Sequence, residues 1–317
     1  MPERPADSAL SEGLPDAAVF HEAQAEVYAD AVVAAPGGVA GEVDDVVKRR
    51  LGPAFWVAVG WLVLVTAVAA LAPVLPIEEP ERIGVGGRYE GFTGDHWLGT
   101  DKLGRDVFAR TVFGARVSLV VGFAAVAGGL VVGGLLGLLA GYRRGWFERV
   151  VMGFADVLLS FPAVILALAI VTFLGHDMWK IVLALGILSI APITRLARAN
   201  TLQWSQREFV LAARTLGAKD RRILFREVLP NVLMPMASLA LIGVAIVIVA
   251  EGTLAFLNVG IENSISWGKL VLEGKDSLEQ APHVAFVPSA AMFFTVLALN
   301  FAGDRLRAHF DVKEGLL

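Results

Sequence analysis

Long charge-free apolar runs, set between short charged segments, dictate most of what this chain can become. Leu51 to Ile77, Val117 to Tyr142, Val157 to Gly175, Val228 to Ala250 and Gln280 to Gly303 contain no Asp, Glu, Lys or Arg. A bilayer core needs about 20 apolar residues as a helix, because backbone polar groups in lipid must find their partners within the segment. A sixth run, Ile181 to Thr194, is shorter and has to extend over Lys180 or Arg195, whose stems can reach the interface. The expected fold is therefore all-α and integral to the membrane. Its six helices span about 53–76, 112–141, 150–174, 180–198, 231–257 and 284–303.

Charge placement orients these spans. Clusters at Lys48 to Arg50, Arg143 to Arg149, Arg195 to Arg226 and Arg305 to Lys313 alternate with segments holding about half as many basic residues. The positive-inside rule then puts both termini and the 195–226 segment in the cytoplasm. Residues 1–50 form an acidic, mobile cytoplasmic extension, with an amphipathic helix around Ala17 to Val33 as the alternative; residues 313–317 form a short cytoplasmic tail.

Several chemistries are excluded or weakly supported. With 0 cysteines there are no disulfides, thiolate metal sites or Cys nucleophiles. The five histidines are scattered without HExxH spacing, so no metal site is expected. Neither a GxSxG elbow nor a GxxxxGK[ST] phosphate loop is present, so a nucleotide that powers this chain has to be bound by another one. A net charge of -4 gives no case for nucleic acid. Asp156 and Glu251 lie in or beside spans, where a gating or hydrogen-bonding role competes with an ion path.

Two local patterns stand out. Gly129, Gly133, Gly137 and Gly141 recur every four residues and make a smooth ridge for close helix contact, within the chain or between chains. Pro162, Pro192 and Pro288 fall inside spans and are expected to kink or loosen them. Then, between spans four and five, REFVLAARTLGAKDRRILFREVLP reads as a basic helical hairpin over 207–230. Phe209, Ala213 and Leu216 recur at helical spacing, Gly217 supplies a left-handed turn, and Leu224 and Val228 follow before a stop at Pro230. Anionic lipid could attract its charge, but the Ala212–Ala213 pair, the Gly217 break and the apolar stripes fit a soluble partner's groove.

At these residues the chain resembles permease subunits of ABC importers, in particular the second permease of the dipeptide/oligopeptide/nickel group. The family's coupling motif runs EAA, three residues, Gly, then a run ending in LP. Ala212, Ala213, Gly217, Leu229, Pro230 and Asn231 match it, while Leu211 replaces the leading Glu. LGTDKLGRD resembles the outer-mouth motif through Gly99, Asp101, Gly104, Arg105 and Asp106; the stretch GLLAGYRR to VILAL matches through Asp156, Phe161 and Pro162. AEGTLAFLNVGI, SWGKLVLEG and LNFAGDRLRAHFD extend the likeness over about 51–312.

The resemblance implies the type I importer permease fold in a bacterial cell membrane, with no cofactor bound by this chain. ATP and Mg would be held by two cytosolic ATP-binding subunits. A homologous permease and an extracellular or periplasmic substrate-binding protein complete the assembly. Ala212, Ala213, Arg214, Gly217, Ala218, Arg221, Leu229 and Pro230 are the implied ATPase-coupling residues. The implied cargo is a di- or oligopeptide, with nickel or another small solute as the alternative. An ion-coupled secondary transporter using Glu251 and Asp156 is the rival from a different class.

Overall fold

The structure, a computed structural model, describes residues 52–314, so the acidic extension and the last three residues lie outside it. Apart from one isolated bridge between Thr100 and Asp106, the described residues are helices and connections. Helix α1, Pro53–Leu71, starts at a proline whose missing N–H costs nothing in the first turn. It is apolar all round yet buries only Phe55, Ala58 and Ala69, the pattern of a helix solvated by lipid. Its Trp61 indole donates to Thr295 at 3.2 Å.

Helix α2, Val107–Arg143, begins earlier than the predicted span because the Asp106 carboxylate accepts from Ala109 N at 2.7 Å and caps it. The glycine ridge on α2 meets α5, Met178–Trp204, within the same chain. A Cβ at Gly133 would lie 2.6 Å from the Ile190 carbonyl oxygen, and one at Gly141 would lie 2.8 Å from that of Arg198. Only residues without a side chain allow this approach, which compensates for the lack of hydrophobic drive in lipid.

The predicted span over 150–174 is two helices, α3 (Gly145–Ser160) and α4 (Ala163–Leu174), bent by 93°. Phe161, held extended ahead of Pro162, makes the break, and Leu166 N restarts the ladder on the Pro162 carbonyl at 3.0 Å. Five described helices are long and apolar enough to cross a membrane, and this bent pair makes a sixth candidate. The kinks expected at Pro192 and Pro288 do not interrupt their helices. Losing one hydrogen bond does not end a helix whose other bonds have no water to turn to.

Helix α5 continues past the short apolar run to Trp204, carrying Arg195 and Arg198 toward α3. Arg195 pairs with Asp156, and Arg198 with Glu148. After α6, Glu208–Thr215, helix α7 runs unbroken from Asp220 to Phe256. Pro230 is therefore no stop. A wide turn over Ile223–Val228, in which Leu229 N reaches back to the Leu224 carbonyl, loosens the ladder just ahead of the proline and lets the helix pass through it. Two more helices follow, α8 (Trp267–Gly274) and α9 (His283–Glu314).

One core cluster joins α2, α4, α5, α7 and α8 through residues such as Leu119, Val171, Leu185, Ile248 and Trp267. A second core, around Leu138, Trp204, Val210, Ile223 and Val228, underlies the hairpin.

Candidate functional site

The hairpin is built outward from that second core. Val210, Ile223 and Val228 are fully buried, and Ala213, Ala218 and Leu229 pack partly against them. The α6 carbonyls are then closed off in a complete C-terminal motif. Gly217 N donates to Arg214 O and Ala218 N to Ala213 O, both at 3.0 Å, with Gly217 at φ +78°. Ala213 and Ala218 on either side of the turn both pack against the buried cluster beneath it. These small residues thus set the hairpin's shape.

The sequence-read stripe of Phe209, Ala213 and Leu216 is split by the structure. Ala213 faces the core beside Val210, while Phe209 is 40% and Leu216 87% exposed. The stripe's period was right, but the inward face is one residue on from Phe209. Leu211, at the position of the missing motif Glu, is also exposed, as are Ala212, Arg214, Arg221 and Pro230. Isolated exposed leucines are ordinary, but here they sit with basic side chains on a turn whose inner face is rigidly seated. Arg207 stacks on the Trp204 ring at 5.4 Å, anchoring the start of α6.

Sequence reading missed Tyr142, the penultimate residue of α2. Its hydroxyl donates to Asp220 Oδ1 at 2.6 Å and accepts from Arg214 Nη2 at 3.5 Å. It thus touches both arms of the hairpin.

The motif over 99–106 is a buried clasp. Gly99 and Gly104 adopt φ +75° and +69°, and a Cβ on either would lie 2.5 Å from a carbonyl oxygen, of Glu90 or Gly86. These turns aim Asp101 at two guanidiniums: Arg105 Nε at 2.7 Å and Arg110 Nη1 at 2.9 Å. Both arginines also reach Glu81 and Glu273, so the loop after α1, the start of α2 and α8 are tied together. Burial would raise the Glu273 carboxyl, but Arg110 and Arg105 outweigh it and hold it below the usual carboxylate range. Asp106 also receives His96 Nδ1 at 2.9 Å, and that hydrogen bond raises the imidazole above its ordinary value despite burial. Glu81 carried no motif signal; Arg110 and Glu273 lie inside matched stretches but were not singled out.

The two candidate acids are not brought together. Asp156 is exposed and paired with Arg195 across α3 and α5. Glu251 is 1% exposed and lies between α2 and α8: Ser118 Oγ donates to its Oε2 at 3.3 Å, and Ser118 Oγ itself accepts from Trp267 N at 3.2 Å. No group of three or more His, Cys, Asp or Glu among the described residues could hold a metal. A largely apolar concavity of about 480 Å³ opens between α2, α4, α5 and α7, lined by Leu130, Phe161, Leu188, Met236 and Val247 among others.

The geometry is that of a helical membrane protein with a seated helical hairpin between two candidate spans. The chain belongs to the family described as the binding-protein-dependent transport system inner membrane component, whose model matches residues 133–314. It is 42% identical over 225 residues to the glutathione transport system permease protein GsiD of Pectobacterium atrosepticum, covering 71% of this chain and 75% of that one. It is 35% identical over 260 residues to the dipeptide transport system permease protein DppC of Alkalihalophilus pseudofirmus, covering 81% and 86%. A chain of the inward-facing MetNI methionine ABC transporter superposes with a TM-score of 0.54 at 20% identity, covering 63% of this chain and 96% of that one, and shows the shared fold. This chain is accordingly a permease subunit of an ABC importer, with ATP hydrolysis residing in partner subunits.

Proposed function

We propose that this chain is one half of a peptide-conducting path and that the 207–230 hairpin is where cytosolic ATPases move it. The observation that carries this reading is the hairpin's two-sided construction: a buried inner face fixed to α2 and α5, and an outer face offering Leu211, Leu216 and basic side chains. In this reading both termini and the hairpin face the cytoplasm, a placement the basic bias supports. ATP and Mg are held by two cytosolic subunits, a homologous permease completes the path, and an extracellular or periplasmic receptor delivers solute at the clasp end. The membrane is the bacterial inner membrane. The two permease relatives, named for glutathione and dipeptide transport, support a short peptide as cargo. Closure of the ATPases shifts the permease between inward and outward states only by binding those states differently.

A single-cysteine crosslink tests the docking, and 0 native cysteines make it unambiguous. Leu216→Cys in the full assembly is expected to crosslink to an ATP-binding subunit and to no lipid-only control. Absence of that product, with transport intact, overturns the docking. Uptake of a labelled dipeptide, competed by glutathione but not by nickel, tests the cargo.

A further inference from the structure

The end of α2 carries a side chain that the coupling motif does not include. Tyr142 packs its ring on the core beneath the hairpin, beside Leu138 and Trp204. Its hydroxyl reaches beyond that core to the turn. There it donates to Asp220 Oδ1 at 2.6 Å, in the first turn of α7, and accepts from Arg214 Nη2 at 3.5 Å, in the last turn of α6. The short bond is charge-assisted and the long one is weak. One hydroxyl therefore spans the two arms on either side of the Gly217 turn. The preceding residue, Gly141, lies directly against Arg198 and Thr201 of α5.

We infer that Tyr142 is a positioning residue for energy coupling: its hydroxyl fastens the hairpin to the α2–α5 pair. Without it the hairpin keeps its apolar seat through Val210, Ile223 and Val228, but the turn that a partner would push is no longer tied to α2. The inference rests on the hairpin being the ATPase dock. Two features favour a coupling role over a role in stability. Both polar partners are at the surface, where such bonds add little to folding. Both also lie in the arms flanking the turn, and neither is in the body of the protein.

The test uses the whole assembly in proteoliposomes and reads peptide uptake per ATP hydrolysed. Tyr142→Phe keeps the ring and removes only the hydroxyl, so the seat survives. Uptake per ATP is expected to fall about fivefold, the worth of one ordinary hydrogen bond. Asp220→Ala should fall similarly, and the double variant should be no worse than Tyr142→Phe alone, because that change already removes the bond to Asp220. A Leu216→Cys crosslink to the ATP-binding subunit is measured alongside in each. A reduced ratio with the crosslink retained supports the inference. An unchanged ratio with the crosslink retained, or additive losses in the double variant, overturns this inference and leaves the docking reading intact. No crosslink in the otherwise native chain overturns the docking reading, and this inference with it.

Discussion

Gly217→Val is the most informative change in the hairpin because its cost can be assigned to the backbone alone. Gly217 sits at φ +78°, and a Cβ built there meets nothing within 4 Å. No clash is created, so the penalty is the left-handed conformation itself. That costs about 1–2 kcal/mol for a residue with a Cβ and reaches about 3 kcal/mol in a strained case such as a β-branched one. Each 1.4 kcal/mol is about a factor of ten, so Val should deplete the native turn roughly tenfold to a hundredfold against other turn geometries. The bonds from Gly217 and Ala218 to Arg214 and Ala213 would be lost with it. The assay is peptide uptake by the reconstituted importer, with receptor-independent ATP hydrolysis followed in parallel. Val is expected to lower uptake at least tenfold while the chain still inserts and assembles. Gly217→Asn, which tolerates a left-handed backbone, should stay within about threefold of the native chain. Unimpaired uptake by the Val variant would refute the reasoning, and so would equal damage from Asn and Val.

Three further outcomes follow from the rest of the structure. Asp101→Ala removes the most buried of the three carboxylates that Arg105 and Arg110 share, leaving them Glu81 and Glu273, so thermal unfolding in detergent should show a loss of about 1.5–3 kcal/mol. Gly133→Leu places a side chain against the Ile190 carbonyl, and overpacking of about 1–3 kcal/mol or more should separate α2 from α5, read as loss of a crosslink between them. The clasp should respond to pH from both sides. His96 is raised in the folded chain, so its contribution is complete below about pH 6.5 and disappears as pH rises through its folded value; Glu273 is lowered, so its contribution disappears only as pH falls through its depressed value. The melting temperature should therefore drop as pH rises through the raised His96 value, and His96→Gln should abolish that limb while leaving the acid limb.

The spans were legible because length and absence of charge suffice to recognise a helix in lipid. They do not report direction, which is why the apolar run across Phe161 and Pro162 read as one helix when the chain turns through 93° there. The Gly217 turn was readable from its neighbours alone, since every bond that defines it is local. Pro230 misled because a proline's local cost was weighed without the wide turn that absorbs it. Asp101 and Arg105 were visible as a motif, but Glu273 lies 168 residues from Arg105, and nothing in the spacing joins them. Tyr142 escaped for the same reason: Asp220 is 78 residues away, and a tyrosine at the end of an apolar run reads as an interfacial anchor.

The continuous path from Asp220 to Phe256 makes one long lever, loosened near its Asp220 end by the wide turn over Ile223–Val228. At 1.5 Å per residue it is a bar about 55 Å long, so a swing of one degree about one end carries the other through roughly 1 Å. Glu251 and the α8 contact through Gly252 and Gly268 ride near the far tip. A push of a few degrees just past the wide turn at Ile223–Val228 therefore becomes a displacement of several ångströms beside Trp267.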